Sequence, residues 1–157
     1  MKKIYSVVSL SFLVMFLLVS NVNSSSDSVK HNNKKERNVS STKWVEFTND
    51  DDGNVYSYQK VNIEKDIVQV WKKIVYSDEG RKKYIKWRTS TPKGYDKLSY
   101  VTFLNDIDCK KKSKRSLSVI HYDTDSKVLW SYDYDKPKWS HISPDTSDEK
   151  LLKEVCK

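Results

Sequence analysis

The sequence predicts a mainly β domain of the α+β class: a single antiparallel sheet of about six strands with a C-terminal helix packed on one face. Runs rich in β-branched and aromatic residues recur along the chain and are separated by short polar turn clusters. The one clear helix signal lies at the C-terminus. The only two cysteines, Cys109 and Cys156, fall at the end of the longest predicted strand and in the predicted helix.

Three segments with different compositions divide the chain. Residues 1–24 have the layout of a Sec-dependent signal peptide, with a basic start, an apolar run from Ile4 to Val19 and a small polar cleavage region. That run has about 16 residues, fewer than the ~20 of a membrane-spanning helix, which favours cleavage over an uncleaved anchor. Residues 25–42 are a polar lead-in whose composition predicts disorder, and residues 43–157 are the predicted folded domain.

Two hairpins are predicted within the folded domain. The first joins Val55–Ile63 to Ile67–Tyr76 across a short turn. The second joins Leu117–Tyr122 to Lys127–Tyr132 across four polar residues, 123–126. Antiparallel pairing of neighbouring strands therefore accounts for much of the predicted sheet.

The longest strand candidate is Leu98–Cys109. Because side chains alternate along a strand, its odd-numbered apolar residues are expected on one face: Val101, Phe103, Ile107 and Cys109. Asp106 and Asp108 alternate with them and are expected to face solvent. Arg81–Arg88 is predicted as a further, weaker strand.

The C-terminal helix signal begins at Thr146 and Glu149, which have capping-box spacing. An apolar stripe follows: Leu151, Leu152, Val155 and Cys156. A helix of about 10 residues is too short to be stable alone in water, so it must dock on the sheet. In an exported protein the two cysteines are expected to form a disulfide that clamps this helix.

Composition argues against several classes of function. Half of the formal charge of +8 lies in residues 1–42, so the domain is only mildly basic and no nucleic-acid partner is expected. The three histidines, His31, His121 and His141, show no metal-ligand spacing. Only three glycines occur, which disfavours phosphate-binding loops. We therefore expect no catalytic residues, metal site or cofactor.

Two groups of residues are candidates for contact with a partner. A basic run near the end of the longest strand suits anionic glycans or acidic protein surfaces, and aromatic residues near the C-terminal hairpin suit an exposed binding surface. The candidates are Lys110, Lys111, Lys112, Lys114, Arg115, Tyr132, Tyr134 and Trp139. The competing interpretation is a solvated turn and ordinary core aromatics, to which Trp71 and Trp130 are assigned.

The order of several short pieces, from about Trp44 to Lys157, resembles the surface-adhesin protein E family, exported β proteins of Gram-negative bacteria. The matching pieces are Val68-Gln69-Val70-Trp71, Ile107-Asp108-Cys109, Arg115-Ser116-Leu117-Ser118, Tyr122-Asp123, Trp139 with Ile142 and Pro144, and Val155-Cys156. The resemblance implies a single antiparallel sheet with a C-terminal helix held by a Cys109–Cys156 disulfide.

The same resemblance implies a non-enzymatic role in cell adhesion, with host extracellular-matrix or plasma proteins as partners. Two departures stand out: Ser126 replaces a glycine expected in the second hairpin, and no cysteine near the cleavage region is available for a lipid anchor. The expected location is the periplasm, the outer surface or the medium. The alternatives are a periplasmic module that binds a bacterial partner or small ligand, and a small secreted hydrolase that uses His121 or His141.

Overall fold

The computed structural model describes residues 43–88 and 90–157. The predicted signal peptide, residues 1–24, and the predicted polar lead-in, residues 25–42, lie outside the described residues. None of the helices described is long and apolar enough to cross a membrane.

Seven strands form one antiparallel sheet, in which β1 to β6 are neighbours in chain order and the short β7 pairs with the beginning of β5. The elements are β1 Val45–Asn49, β2 Val55–Glu64, β3 Ile67–Val75, α1 Asp78–Lys86, β4 Leu98–Asp108, β5 Ser113–Asp123, β6 Val128–Asp133, β7 Ser140–His141 and α2 Ser147–Val155. The predicted fold class and both predicted hairpins are confirmed.

One face of the sheet, called here the covered face, carries the hydrophobic core. Towards α2, a first cluster packs Val68, Val70 and Ile107 of the sheet against helix residues. Towards α1, a second cluster contains Tyr95, Leu98, Val101 and Val119. Strand register and side-chain alternation place both clusters on the same side of the sheet. The opposite side is called the open face.

The C-terminal helix forms as predicted. The Thr146 hydroxyl accepts a hydrogen bond from the Glu149 backbone N–H at 3.2 Å, which caps the first turn of α2. The apolar side of the helix is buried through Leu151, Leu152 and Val155. Cys109 and Cys156 form the predicted disulfide, which links the end of β4 to the end of α2.

The prediction of a strand over Arg81–Arg88 is wrong, because residues 81–86 form the greater part of helix α1 and Trp87 is its C-cap. The Ser77 hydroxyl caps the helix by accepting a hydrogen bond from the Gly80 N–H at 2.9 Å. Acidic residues in the first turn and lysines in the last complement the helix dipole. Tyr84 and Ile85, which suggested a strand, instead pack against the second core cluster.

Three residues of the sheet are placed differently from the expectation. Asp106 and Asp108 point away from the core as predicted, but both are buried rather than solvated. Asp106 accepts two hydrogen bonds from Arg115, at 2.9 and 2.8 Å, which compensates its burial. Trp130 packs on the second core cluster as predicted, whereas Trp71 lies on the open face.

Ser126, which replaces the glycine expected in the second hairpin, adopts a backbone conformation that favours glycine. Ser126 lies in the turn between β5 and β6 with φ 60°, in the left-handed region. A non-glycine residue held in this region costs about 1–3 kcal/mol, whereas glycine adopts it freely. Two backbone N–H groups of the turn, of Asp125 and Lys127, donate to the Asp123 carboxylate and support the strained conformation.

Candidate partner-binding surface

The predicted basic run divides between a turn and a strand. Lys110, Lys111 and Lys112 are exposed in the turn that follows β4. The Lys112 carbonyl accepts a hydrogen bond from the Ile142 N–H at 3.0 Å, so this turn lies beside β7. The Lys111 ammonium is 3.8 Å from Asp108 in an exposed pair that contributes little to stability.

Lys114 and Arg115 lie in β5 and bind internal carboxylates. The Lys114 ammonium donates to the Asp148 carboxylate of α2. The Arg115 guanidinium binds Asp106 and also lies 4.8 Å from the centre of the Trp139 ring, a cation–π distance. These two cations are therefore largely neutralised within the domain, unlike the lysines of the turn.

The predicted aromatic candidates are exposed. Tyr132 and Tyr134 continue a row of rings from Trp130, with centroid separations of 6.1 Å and 4.9 Å along the row. Tyr134 is 42% exposed and Trp139 is 40% exposed, which is high for large aromatic side chains. The Arg115 guanidinium lies over Trp139 and the Tyr134 N–H donates to the Leu117 carbonyl, so these two rings lie towards the beginning of β5, where the basic turn and β7 also lie. Tyr132 pairs with Val119, further along β5.

A groove of about 330 Å³ lies beside β7. It is lined by Ser116, Tyr134, Lys136, Lys138 and Ser140. Sequence reasoning missed Lys136 and Lys138, although their alternation around Pro137 is typical of an extended segment with both side chains on one side. Among the described residues, no carboxylate lies within ion-pair distance of either lysine.

A second groove, of about 320 Å³, lies on the other side of β7 and is lined in part by Lys112, His141 and Lys153. Together the two grooves surround β7 with lysines. We call this region the β7 surface. It comprises four residues that line the grooves, Lys112, Tyr134, Lys136 and Lys138, and three exposed residues next to them, Lys110, Tyr132 and Trp139.

His121 belongs to the core rather than to a site open to solvent. Its side chain is 1% exposed, and both ring nitrogens have phenolic partners, Tyr95 at Nδ1 and Tyr84 at Nε2. The Arg88 guanidinium lies 5.2 to 5.8 Å from the rings of Tyr84, Tyr95 and Trp130 that surround the imidazole. Burial, reinforced by the charge of Arg88, lowers the pKa of His121 to about 4.

We expect this histidine to make the protein less stable as the pH falls from about 6.5 to 4. Its pKa is about 4 when folded and about 6.5 when unfolded, so the unfolded state binds the additional proton. Neutral His121 therefore contributes about 3 kcal/mol to the free energy of unfolding above pH ~6.5, and this contribution is lost as the pH falls towards 4. Urea denaturation at several pH values measures it, with His121→Gln as the comparison. Equal pH dependence in both proteins over this window would contradict the assignment.

Within residues 43–88 and 90–157, no group of three His, Cys, Asp or Glu side chains is arranged to hold a metal ion. His141, the other described histidine, is exposed on β7.

A comparison with known protein families identifies a match that covers the folded region. The family profile described as surface-adhesin protein E matches residues 44–157, which is the whole of the sheet and both helices. No curated protein and no solved structure matches the chain significantly. The match covers more than half of the chain and includes the clamped C-terminal helix. The chain therefore belongs to the surface-adhesin protein E family.

Proposed function

We propose that this protein is an exported, non-enzymatic binding protein that contacts host extracellular-matrix or plasma proteins through the β7 surface. The observation that carries the proposal is the groove lined by the exposed ring of Tyr134 and by Lys136 and Lys138, whose ammonium groups pair with no carboxylate of the described residues. Exposed aromatic side chains are common anchors of interfaces, and unpaired cations attract acidic partners. Membership of a surface-adhesin family and the Cys109–Cys156 disulfide both support export.

The test is a binding titration of the purified protein against a panel of immobilised matrix and plasma proteins at physiological salt. We expect saturable binding to at least one of them. In the variant Tyr134→Ala/Lys136→Ala/Lys138→Ala the affinity should fall about 10-fold or more, because an anchor and two cations are lost. Removing the lysines should also weaken the dependence of binding on salt.

The matched control replaces two exposed lysines of α1 and the exposed aromatic residue that caps its C-terminus, in the variant Lys82→Ala/Lys86→Ala/Trp87→Ala. Its affinity should stay within about twofold of the unmodified protein. Absence of saturable binding to every panel member, or an equal loss in the control variant, would contradict the proposal.

The alternative is a periplasmic module that binds a bacterial partner or small ligand. It is favoured by the size of the two grooves beside β7, about 330 and 320 Å³, which is within the usual range for small-molecule sites. Protease treatment of intact cells separates the two functions. A protein displayed on the surface is degraded, and a periplasmic protein is spared.

A further inference from the structure

The open face of the sheet carries a continuous group of half-buried apolar side chains. They are contributed by the segment before β1 and by strands β3, β4 and β5: Trp44, Trp71, Tyr100, Leu104, Ile120 and Tyr122. Both described helices pack on the covered face, so neither shields this group. Contiguous apolar surface of this kind commonly marks a binding site.

A groove of about 180 Å³ lies within this face and has a mixed lining. It is formed by Trp44, Gln59, Trp71, Thr102, Ile120 and Tyr122. Strand pairing sets Gln59 opposite Trp71 and Thr102 opposite Ile120, so the sheet backbone itself fixes the lining. Aromatic walls with a few placed polar groups are typical of small-ligand sites, and this groove is smaller than those for drug-sized molecules.

Thr102 provides evidence for a ligand in this groove that is independent of the shape and apolar character of the groove. Its side chain is 6% exposed, and its hydroxyl hydrogen-bonds to no other group in the described part of the chain. A hydroxyl both donates and accepts, and buried hydroxyls in native structures nearly always have partners. Rotation of the Thr102 side chain about χ1 would present this unpartnered hydroxyl to the groove, where a ligand can supply the missing hydrogen bond.

The charges around the groove favour an uncharged ligand. The six lining residues include no carboxylate, ammonium or guanidinium group. Lys73 lies on the same face, and its ammonium is 4.4 Å from the centre of the Trp44 ring and 5.9 Å from that of Tyr100. The ammonium of Lys73 therefore contacts two rings of this face, and burial, which disfavours its charged form, lowers its pKa.

We propose that this groove binds a pyranose ring of a neutral oligosaccharide. A pyranose has an apolar C–H face that packs on the electron-rich face of an indole, and hydroxyl groups at its edge that donate and accept hydrogen bonds. Trp71 and Trp44 provide the ring faces, and the Thr102 hydroxyl provides the polar partner. The site lies on the open face and does not depend on the β7 surface or on its protein partner.

The test is calorimetric titration of the purified protein with four neutral probes: cellotetraose, maltotetraose, tetra-N-acetylchitotetraose and N-acetyllactosamine. We expect saturable binding of at least one. Trp71→Ala should weaken that binding by about 30-fold or more, because the stacking surface is lost. Thr102→Val keeps the shape and removes only the hydroxyl, so it should weaken binding by about 3- to 10-fold.

The matched control is Trp87→Ala, which removes the most exposed tryptophan, 86% exposed at the end of α1, and should leave binding unchanged. If Trp71→Ala does not fold, Thr102→Val still decides the outcome. The proposal is wrong if none of the probes binds, or if Thr102→Val binds as tightly as the unmodified protein. It is also wrong if sedimentation shows a dimer that Trp71→Ala dissociates, because the face would then be covered by a second copy of the chain.

Discussion

Replacing Asp148 by alanine is expected to lower the free energy of unfolding by about 3–5 kcal/mol. Asp148 lies in the first turn of α2 and bridges two lysines of the sheet. Its Oδ1 is 2.6 Å from the ammonium of Lys72, and its Oδ2 accepts from the ammonium of Lys114. Lys72 is buried, so removing the carboxylate leaves a buried cation without its partner. The negative charge at the helix N-terminus is lost as well.

The ionisation of Asp148 is consistent with a carboxylate that bridges two lysines. Burial alone raises the pKa of its carboxyl group, but the charge of Lys72 and the hydrogen bond from Lys114 outweigh burial and lower it. The ionised carboxylate therefore stabilises the protein at neutral pH, and this contribution is lost as the pH falls below the ordinary range for aspartate.

Urea denaturation followed by tryptophan fluorescence measures the effect of Asp148→Ala. The matched control is Asp78→Ala, because Asp78 occupies the first turn of α1 and pairs with Arg81 at 2.8 Å while 83% exposed. That exposed pair should contribute less than about 1 kcal/mol. Equal losses in the two variants would show that the bridge to α2 adds nothing beyond a surface ion pair.

Removing the disulfide, in the variant Cys109→Ser/Cys156→Ser, is expected to cost about 2–5 kcal/mol of stability. The bond joins residues 47 positions apart, so it restricts a long loop in the unfolded chain. It also fixes α2, which is too short to be stable without docking. The double variant is preferred because a single substitution leaves a free thiol.

Denaturation of the double variant and of the oxidised protein gives the difference in free energy. The unmodified protein measured in reductant is the control and should match the variant, since both lack the cross-link. Mass spectrometry of unreduced protein should recover Cys109 linked to Cys156. Equal stability with and without the bond, or free thiols in protein isolated from the medium or the periplasm, would contradict this account of the clamp.

Local signals explain what was predictable from sequence. Helix α2 was predictable because Thr146 and Glu149 lie next to the apolar stripe that they cap. The hairpins were predictable because their turns separate runs of strand-forming residues. Helix α1 was not, since Tyr84 and Ile85 have β propensity and the Ser77 cap outweighs it only when both side chains pack on the core.

The sites depend on contacts between residues far apart in sequence. Thr102, Trp71 and Gln59 meet only because β4, β3 and β2 are neighbours in a fixed register. The groove beside β7 requires the segment after β6 to return along β5, which brings Lys136 and Lys138 to Ser116. The burial of Asp106 likewise depends on Arg115 from the next strand. Beyond the two hairpins, single-sequence patterns show which side chains share a strand face, but not which strands pair.

The central claim is that the β7 surface is where this member of the surface-adhesin protein E family contacts its partner. The most direct measurement is amide hydrogen exchange of the protein alone and in complex with the matrix or plasma protein that binds it. We expect slower amide exchange in the complex in the turn at residues 110–112 and in residues 132–141, and no change in the exchange of α1. Protection confined to α1, or none at the β7 surface, would contradict the claim.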